Sequence, residues 1–402
     1  MKNIMKNKVF KILFIVLFVT LENNLNAVDQ GGYVGKVWKS EKVTWIDKEF
    51  GHEITKWTSD KYRSWPLYFD VESFIDKNHV IIYSNRSGGI NLFRLDLING
   101  TMVQMTNEKG NISGSVWYIP KYKILWYKIG NTIHSLNSET FENKVVFQTD
   151  SLEIKSFSIT VNKKYLVFSV NKNPGFSDNC STGPYAIFRF GLTDGSLKQI
   201  TPDYGFIISH VQANPVNPDI IIYAWQHRYR PGSSGIVGNT PIRIWWVNIK
   251  GTKGGPVGPQ EFGLHRTHEF WTYDGKRIGY SARYKFGPNL GKQYLGSCKP
   301  DGSDNFMFKA PVGPAHSQIY KDNKHWVADQ NNGMILTLWT FDRGKVIKEE
   351  KLFRHNSSWN GQPSHPHPHF SPEGKKIIFG TDRTGTPCVY TVKINLDDQK
   401  WK

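Results

Sequence analysis

Cysteine is nearly missing: only Cys180, Cys298 and Cys388 occur in a chain of 402 residues. An odd count at wide spacing, with no Cys-x-x-Cys pair, excludes a disulfide framework and a thiolate zinc site and leaves at least one thiol free. Acidic residues are also in deficit. Lys and Arg number 51 against 34 Asp and Glu, a formal net charge of +17, which favours an anionic partner: nucleic acid, a membrane surface or an acidic sugar polymer. Apart from one N-terminal run, no stretch approaches the ~18 uninterrupted apolar residues of a membrane span. A Gly-rich phosphate loop, a Ser nucleophile elbow and a zinc-protease helix motif are all absent. No long helical period of apolar residues is present either, although 39% hydrophobic and 14% aromatic content is enough for a sizeable core.

The exceptional apolar run lies at the start. Lys2, Lys6, Lys8 and Lys11 lead into Ile12 to Leu21, and a small residue, Ala27, stands before Val28-Asp29. That is the pattern of a secretory signal peptide over residues 1–27, with no Cys behind it to accept a lipid. Its removal takes away four Lys and Glu22 and leaves a mature chain of about +14. The expectation is an exported protein, periplasmic or secreted, soluble once the signal is cleaved, with residues 28–402 forming a single domain. An exported chain meets little nucleic acid, and its Lys and Arg are spread rather than grouped in a stripe, so nucleic acid is the disfavoured partner.

What the chain does contain is a repeat. An aromatic or apolar residue, a short turn with Pro, Gly, Asp or Asn and Lys, and a run of three or four apolar residues recur seven times: Phe74 to Tyr83, Trp117 to Trp126, Ile159 to Phe168, Ala213 to Tyr223, Trp271 to Tyr280, Ile319 to Ala328 and Phe370 to Phe379. Each reads as a hairpin, with the turn best preserved in Tyr273-Asp274-Gly275-Lys276 and Pro372-Glu373-Gly374-Lys375. Most units continue into a second strand pair, as in Leu92 to Leu97, Asn99-Gly100, and Met102 to Thr106. Four strands per unit and seven units predict an all-β, seven-bladed β-propeller. Val43 to Trp57 reads as a spare strand pair that would complete the last blade and close the ring. Insertions at Asn171 to Gly183, His227 to Thr240 and Tyr284 to Tyr294 read as loops over a binding face. Most of the Trp and Tyr residues are expected to pack between blades.

The repeat also carries phase information. Three residues before the first anchor of each unit stand Val71, Gly114, Ser156, His210, His268, His316 and His367. The first strand of each propeller blade lines the central axis, so four consecutive blades would direct His at one part of the channel. The last unit adds Gln362-Pro363-Ser364-His365-Pro366-His367-Pro368-His369. In an extended chain, His365 and His367 share a face. With His316 they offer three imidazoles, and Gln362 an amide oxygen. Such a set with open positions suits Mn, Fe, Ni or Zn better than Ca or Mg. His369 reads as a spare or structural residue. Arg243, in Pro241-Ile242-Arg243-Ile244-Trp245-Trp246, is either a surface residue or an anion ligand.

Thr267-His268-Glu269-Phe270-Trp271, Ala315-His316-Ser317 and the stretch from His355-Asn356-Ser357-Ser358-Trp359 through Gln362 to Pro368 resemble the oligogalacturonate lyase family of seven-bladed propeller polysaccharide lyases. The likeness runs thinly over most of the mature chain to Trp401-Lys402. It implies β-elimination of oligogalacturonides with a Mn²⁺ ion or another divalent transition metal. It further implies His316, Gln362, His365 and His367 as metal ligands, His268 as the base, and Arg243 as the substrate-binding, charge-stabilising arginine. His210 is assigned to substrate binding from the ring argument. Two features depart from the family: the export signal, and Trp225-Gln226-His227-Arg228 in place of His-Glu-Gly-Pro in the fourth blade. The readings that compete with this one are a lyase for another uronic-acid glycan, a metal-dependent hydrolase on the same fold, and a non-catalytic periplasmic scaffold propeller.

Overall fold

The computed structural model describes residues 32–112, 114, 116–173, 184–205, 207–226, 242–310, 316–330, 334–342 and 344–396. The predicted signal peptide, Cys180, the loop His227 to Thr240, most of Asn171 to Gly183, and Trp401-Lys402 lie outside them.

Seven antiparallel sheets follow one another along the chain, each built mainly from consecutive strands. This is the all-β, seven-bladed propeller that the repeat predicts. The inner strands, in order, are Ser64–Pro66, Trp117–Ile119, Glu153–Ile159, Ile208–Ala213, Leu264–Trp271, Ser317–Ile319 and His369–Phe370. The hairpin turns form for local reasons. In the fifth blade Asp274 Oδ1 accepts hydrogen bonds from Thr272 Oγ1 at 2.7 Å and from the Lys276 amide at 3.1 Å, and Gly275 takes the left-handed φ of +64° that the turn requires.

The N-terminal strand pair closes the ring. Val43–Ile46 and Glu53–Lys56 join the last blade, with Ile54 opposite Val392 and Lys56 opposite Tyr390. Val37–Trp38 pairs with Met102 and Val103 on the outer edge of the first blade, so the N-terminal segment spans the seam. Trp57 locks it: the ring is buried and its Nε1–H donates to Thr391 Oγ1 at 3.0 Å. Truncating it to Ala would open a cavity costing about 3–5 kcal/mol.

Packing follows the same circular logic. The buried apolar residues divide into seven clusters, and each joins two neighbouring blades. Trp65, Tyr83 and Leu92 meet Tyr118 and Leu125 between blades one and two, and Trp57, Ile378 and Val389 meet Val80, Ile82 and Phe93 across the seam. Such a core lies between blades and leaves the axis open as a channel. Cys298 and Cys388 are buried, unpaired thiols within two of these clusters.

The first blade differs from the repeat. Phe74 pairs with Val80 only through a single bridge, and the inner strand is Ser64–Pro66, ten residues upstream, with Pro66 opposite Ile82. Residues 67–73 leave the strand between these two pairings, opposite Ile81 alone, and part of this excursion enters the channel. It is an extreme form of the β-bulge, in which extra residues on one strand oppose fewer on the other.

Candidate metal and catalytic site

The equivalent His positions are set by a recurring backbone device. In the fourth blade the pairing shifts between Ser209 and Gln212, and in the fifth between Thr267 and Phe270, so that two residues oppose one. His210 and His268 sit in these bulges at φ +51° and +53°, His367 takes φ +45°, and Gly114 at the same phase takes +77°. A left-handed backbone is unfavourable for a side-chain-bearing residue, and its recurrence at one position of the ring marks a conformation held by the surrounding structure.

Three imidazoles converge. Nitrogens of His316, His365 and His367 lie within 4.8 Å of one another. Asp329, fully buried, accepts the His316 amide at 2.7 Å and His316 Nδ1–H at 2.8 Å, and the His367 amide at 3.3 Å. This fixes the His316 tautomer and leaves Nε2 for a ligand, the arrangement by which a carboxylate orients a metal-binding histidine. Both ring nitrogens of His367 and Nδ1 of His365 are buried without hydrogen-bond partners. Orphaned buried nitrogens are costly unless something coordinates them. Burial and the neighbouring imidazoles hold His316 and His367 well below the ordinary 6.5, in the neutral form that binds a metal. Trp359 covers two of the rings, stacked on His316 at 5.9 Å and tilted on His365 at 4.7 Å. Gly380 lets the last blade approach this stretch: its amide donates to Pro366 O at 2.8 Å, and an added Cβ would stand 3.0 Å from Pro66 and 3.3 Å from His365 O.

His268 adjoins the cluster, its ring 4.4 Å from that of His316, with Nδ1 3.2 Å from Ser281 Oγ. Burial, then His316 and Arg243, hold it well below 6.5, so at neutral pH it is an acceptor for a proton. Arg243, just before the strand Ile244–Asn248, is gripped by the next residue of the bulge: Nε and Nη2 donate to the two Glu269 oxygens at 3.0 and 3.3 Å. Burial, the largest influence, would raise Glu269, but the charge and hydrogen bonds of Arg243, the charge of His210 and its own backbone hydrogen bond together hold the carboxyl at about 2. Arg243 Nη1 makes no hydrogen bond to the described residues and is the end left for an anion. His210, pushed down to about 4 mainly by burial, lines a cavity of about 340 Å³ with Tyr68, Asp70, Lys155, Gln226, Gln362 and His367.

Two of the curated proteins resemble the chain over most of its length. An oligogalacturonide lyase of Pectobacterium atrosepticum is 23% identical over 390 residues, and an oligogalacturonate lyase of Dickeya dadantii 26% identical over 391; each alignment covers 89% of this chain and 97% of the relative. The resemblance to the oligogalacturonate lyase family is borne out. Among solved structures, an oligogalacturonate lyase in complex with manganese matches 91% of this chain and 99% of its own, with a TM-score of 0.78 at 21% identity. No protein-family model matches the chain.

Against the oligogalacturonate lyase pattern, the structure brings His268, His316, His365 and His367 together, with Arg243 joined to them through Glu269. Gln362 is exposed, starts a short 3₁₀ turn to Ser364, and shares the cavity with His367. One geometric expectation needs correction. The His-Pro run is not uniformly extended: His365 is (φ −78°), but His367 is left-handed, so a backbone reversal and not strand parity turns it toward His316. His369 is structural, its Nε2 3.0 Å from Leu67 O of the first blade. It occupies the position at which Ser158, Gln212 and Gln318 also bond to the inner strand of the following blade. Sequence reading missed Asp329, Glu269 and Tyr68. The second strand of the sixth-blade hairpin, continued one residue beyond the Ser317–Ala328 pair, carries Asp329 to His316.

Proposed function

We propose that this chain is a metal-dependent lyase that cleaves oligogalacturonides by β-elimination, removing the C5 proton of a uronate and expelling the sugar oxygen on C4. The observation that carries the reading is the neutral His268 ring packed at 4.4 Å on one of three converging imidazoles, the other two of which carry buried ring nitrogens without hydrogen-bond partners. A divalent transition metal such as Mn²⁺, held by His316, His365, His367 and Gln362, would draw charge from the uronate carboxylate and acidify the C5 proton. His268 accepts that proton, its ring oriented by the contact of Nδ1 with Ser281 Oγ at 3.2 Å. Arg243, its side edge occupied by Glu269, presents Nη1 to a carboxylate and steadies the charge that develops as the proton leaves. His210 and Gln226 line the adjoining space, where a neighbouring sugar unit would lie. The net charge of +17 agrees with a polyanionic substrate. Export to the periplasm or beyond belongs to the same proposal and is supported by the leader pattern of residues 1–27.

The test is ultraviolet absorbance of the conjugated unsaturated uronate, followed with purified protein, Mn²⁺ and oligogalacturonides, and repeated with a chelator. A rise that the chelator abolishes and Mn²⁺ restores is the expected result. No rise from a protein that retains metal would move the substrate to another uronate or the reaction to hydrolysis.

A further inference from the structure

We propose that Tyr68 is the acid of this site, its phenol hydroxyl handing a proton to the oxygen that leaves C4. The inference rests on the lyase reading and extends it, since that reading supplies a base and no acid.

Tyr68 reaches the channel only because residues 67–73 leave the inner strand of the first blade, an excursion that no other blade shows among the described residues. Its ring lies 4.6 Å from His367, 5.6 Å from His316 and 6.1 Å from His210, in contact with three of the four phased histidines. It forms the wall of the cavity that holds His210, Gln362 and His367. A tyrosine with so much of its ring packed normally finds a hydrogen-bond partner for its hydroxyl, and this one has none among the described residues. The O–H is left to a ligand.

The disposition of the base agrees. In the galacto configuration the C5–H and C4–O bonds point to opposite faces of the ring, so one group cannot serve both. His268 and Tyr68 both pack on His316 yet make no ring contact with each other. The other proton carriers of the cavity are less suited. Lys155 is paired with Glu153, and Asp70 stands at the boundary with a second cavity, one of its oxygens sealed from solvent.

The step balances without a further reactant. The C5–H pair becomes the C4=C5 double bond, and its proton goes to His268. The C4–O bond breaks, and the leaving oxygen takes the Tyr68 proton and departs as an alcohol. The tyrosinate then regains a proton from the His268 imidazolium through water.

Tyr68→Phe keeps every ring contact and removes only the hydroxyl. On oligogalacturonides with Mn²⁺, its turnover should fall by about 10²- to 10⁴-fold. Three readouts separate an acid from a packing residue. Mn²⁺ affinity by calorimetry should match the parent. Solvent deuterium should still enter C5 of unreacted substrate, because the base is intact. A galacturonide with a nitrophenoxy group on C4, which leaves without protonation, should be cleaved at nearly the parental rate. Parental turnover of oligogalacturonides, or an equal loss on both substrates, overturns the role of Tyr68. Failure of the lyase reading has a different signature: the parent protein itself forms no unsaturated product from either substrate, and the role falls with it.

Discussion

The two ends of the central channel are built from the same inner strands and have opposite chemistry. Where the strands begin, the lining is nitrogen: His210, His268, His316, His365 and His367, with Arg243 behind. Two to five residues further along the same strands it becomes apolar and acidic, in a second cavity of about 320 Å³ lined by Trp117, Phe270, Trp271 and Tyr273 with Asp70 and Glu72. The acids respond oppositely. Glu269, paired with Arg243, is held at about 2, whereas burial pushes Asp70 up to about 8, with the charge of Glu269 adding, and Glu72 up to about 7. The two ends therefore offer different partners, imidazoles and Arg243 at one and carboxyls among aromatic rings at the other, and the Tyr68–Phe69 excursion stands between them, with Phe69 packed on His316 at 5.1 Å and on Phe270 at 5.9 Å. In a propeller, depth along an inner strand assigns the chemistry, and the blade number assigns the direction from which it comes.

The sharpest way to break this division is at the base. His268→Ala should lower turnover by about 10²- to 10⁴-fold while leaving metal content, measured by elemental analysis, as in the parent. Metal lost together with activity would mean that His268 is a ligand and that the upper end is one site without a separate base. Next in size is the pair behind it. Glu269→Gln leaves Arg243 partly buried without its counter-charge, and removing one partner of such a pair costs about 3–5 kcal/mol, read as a lower denaturant midpoint. A midpoint near the parent's would show that water already screens the pair.

The fold was legible because a propeller repeats its physics. Each blade needs an apolar second strand and a tight turn before it, and six of the seven hairpins form at the anchors the sequence marks. The first keeps only the Phe74–Val80 bridge at its anchor and has its inner strand ten residues upstream; an excursion of the chain out of a strand leaves no periodic trace. Phase located the histidines for the same reason: equivalent positions in a closed ring face one channel. Residues that act through pairing were illegible. Asp329 is joined to His316 by strand register, and Glu269 to Arg243 by the approach of neighbouring blades, neither of which a local motif encodes. The left-handed turn at His367 was also hidden, since a residue before proline is normally extended.

Asp329 gives a smaller and more selective test of the upper end. Asp329→Asn keeps the size of the group and weakens the bond that orients His316, and losses of this kind typically reduce metal affinity about 10- to 100-fold. Competition with a chelating dye measures it. Excess Mn²⁺ should restore the activity of this variant and not that of His268→Ala, which separates holding the metal from moving the proton. Equal affinity in parent and variant would deny Asp329 its role and leave His316 oriented by packing alone.

The smallest effect belongs to the lower end and is visible only against pH. The Glu72 carboxyl accepts the Phe74 amide at 2.7 Å, but burial dominates and raises it from 4.5 to about 7. A carboxyl raised in the folded state adds stability that is complete below its unfolded value and is lost as pH climbs through the folded one. Thermal midpoints of the parent should therefore decline between pH 4.5 and 7 relative to those of Glu72→Gln, in which nothing titrates at this position. The variant should turn over substrate as the parent does, because Glu72 lines only the lower cavity. Parallel midpoints would mean that Glu72 is ionised and hydrated in the folded state, and the acidic, apolar character of that end would then rest on Asp70 alone.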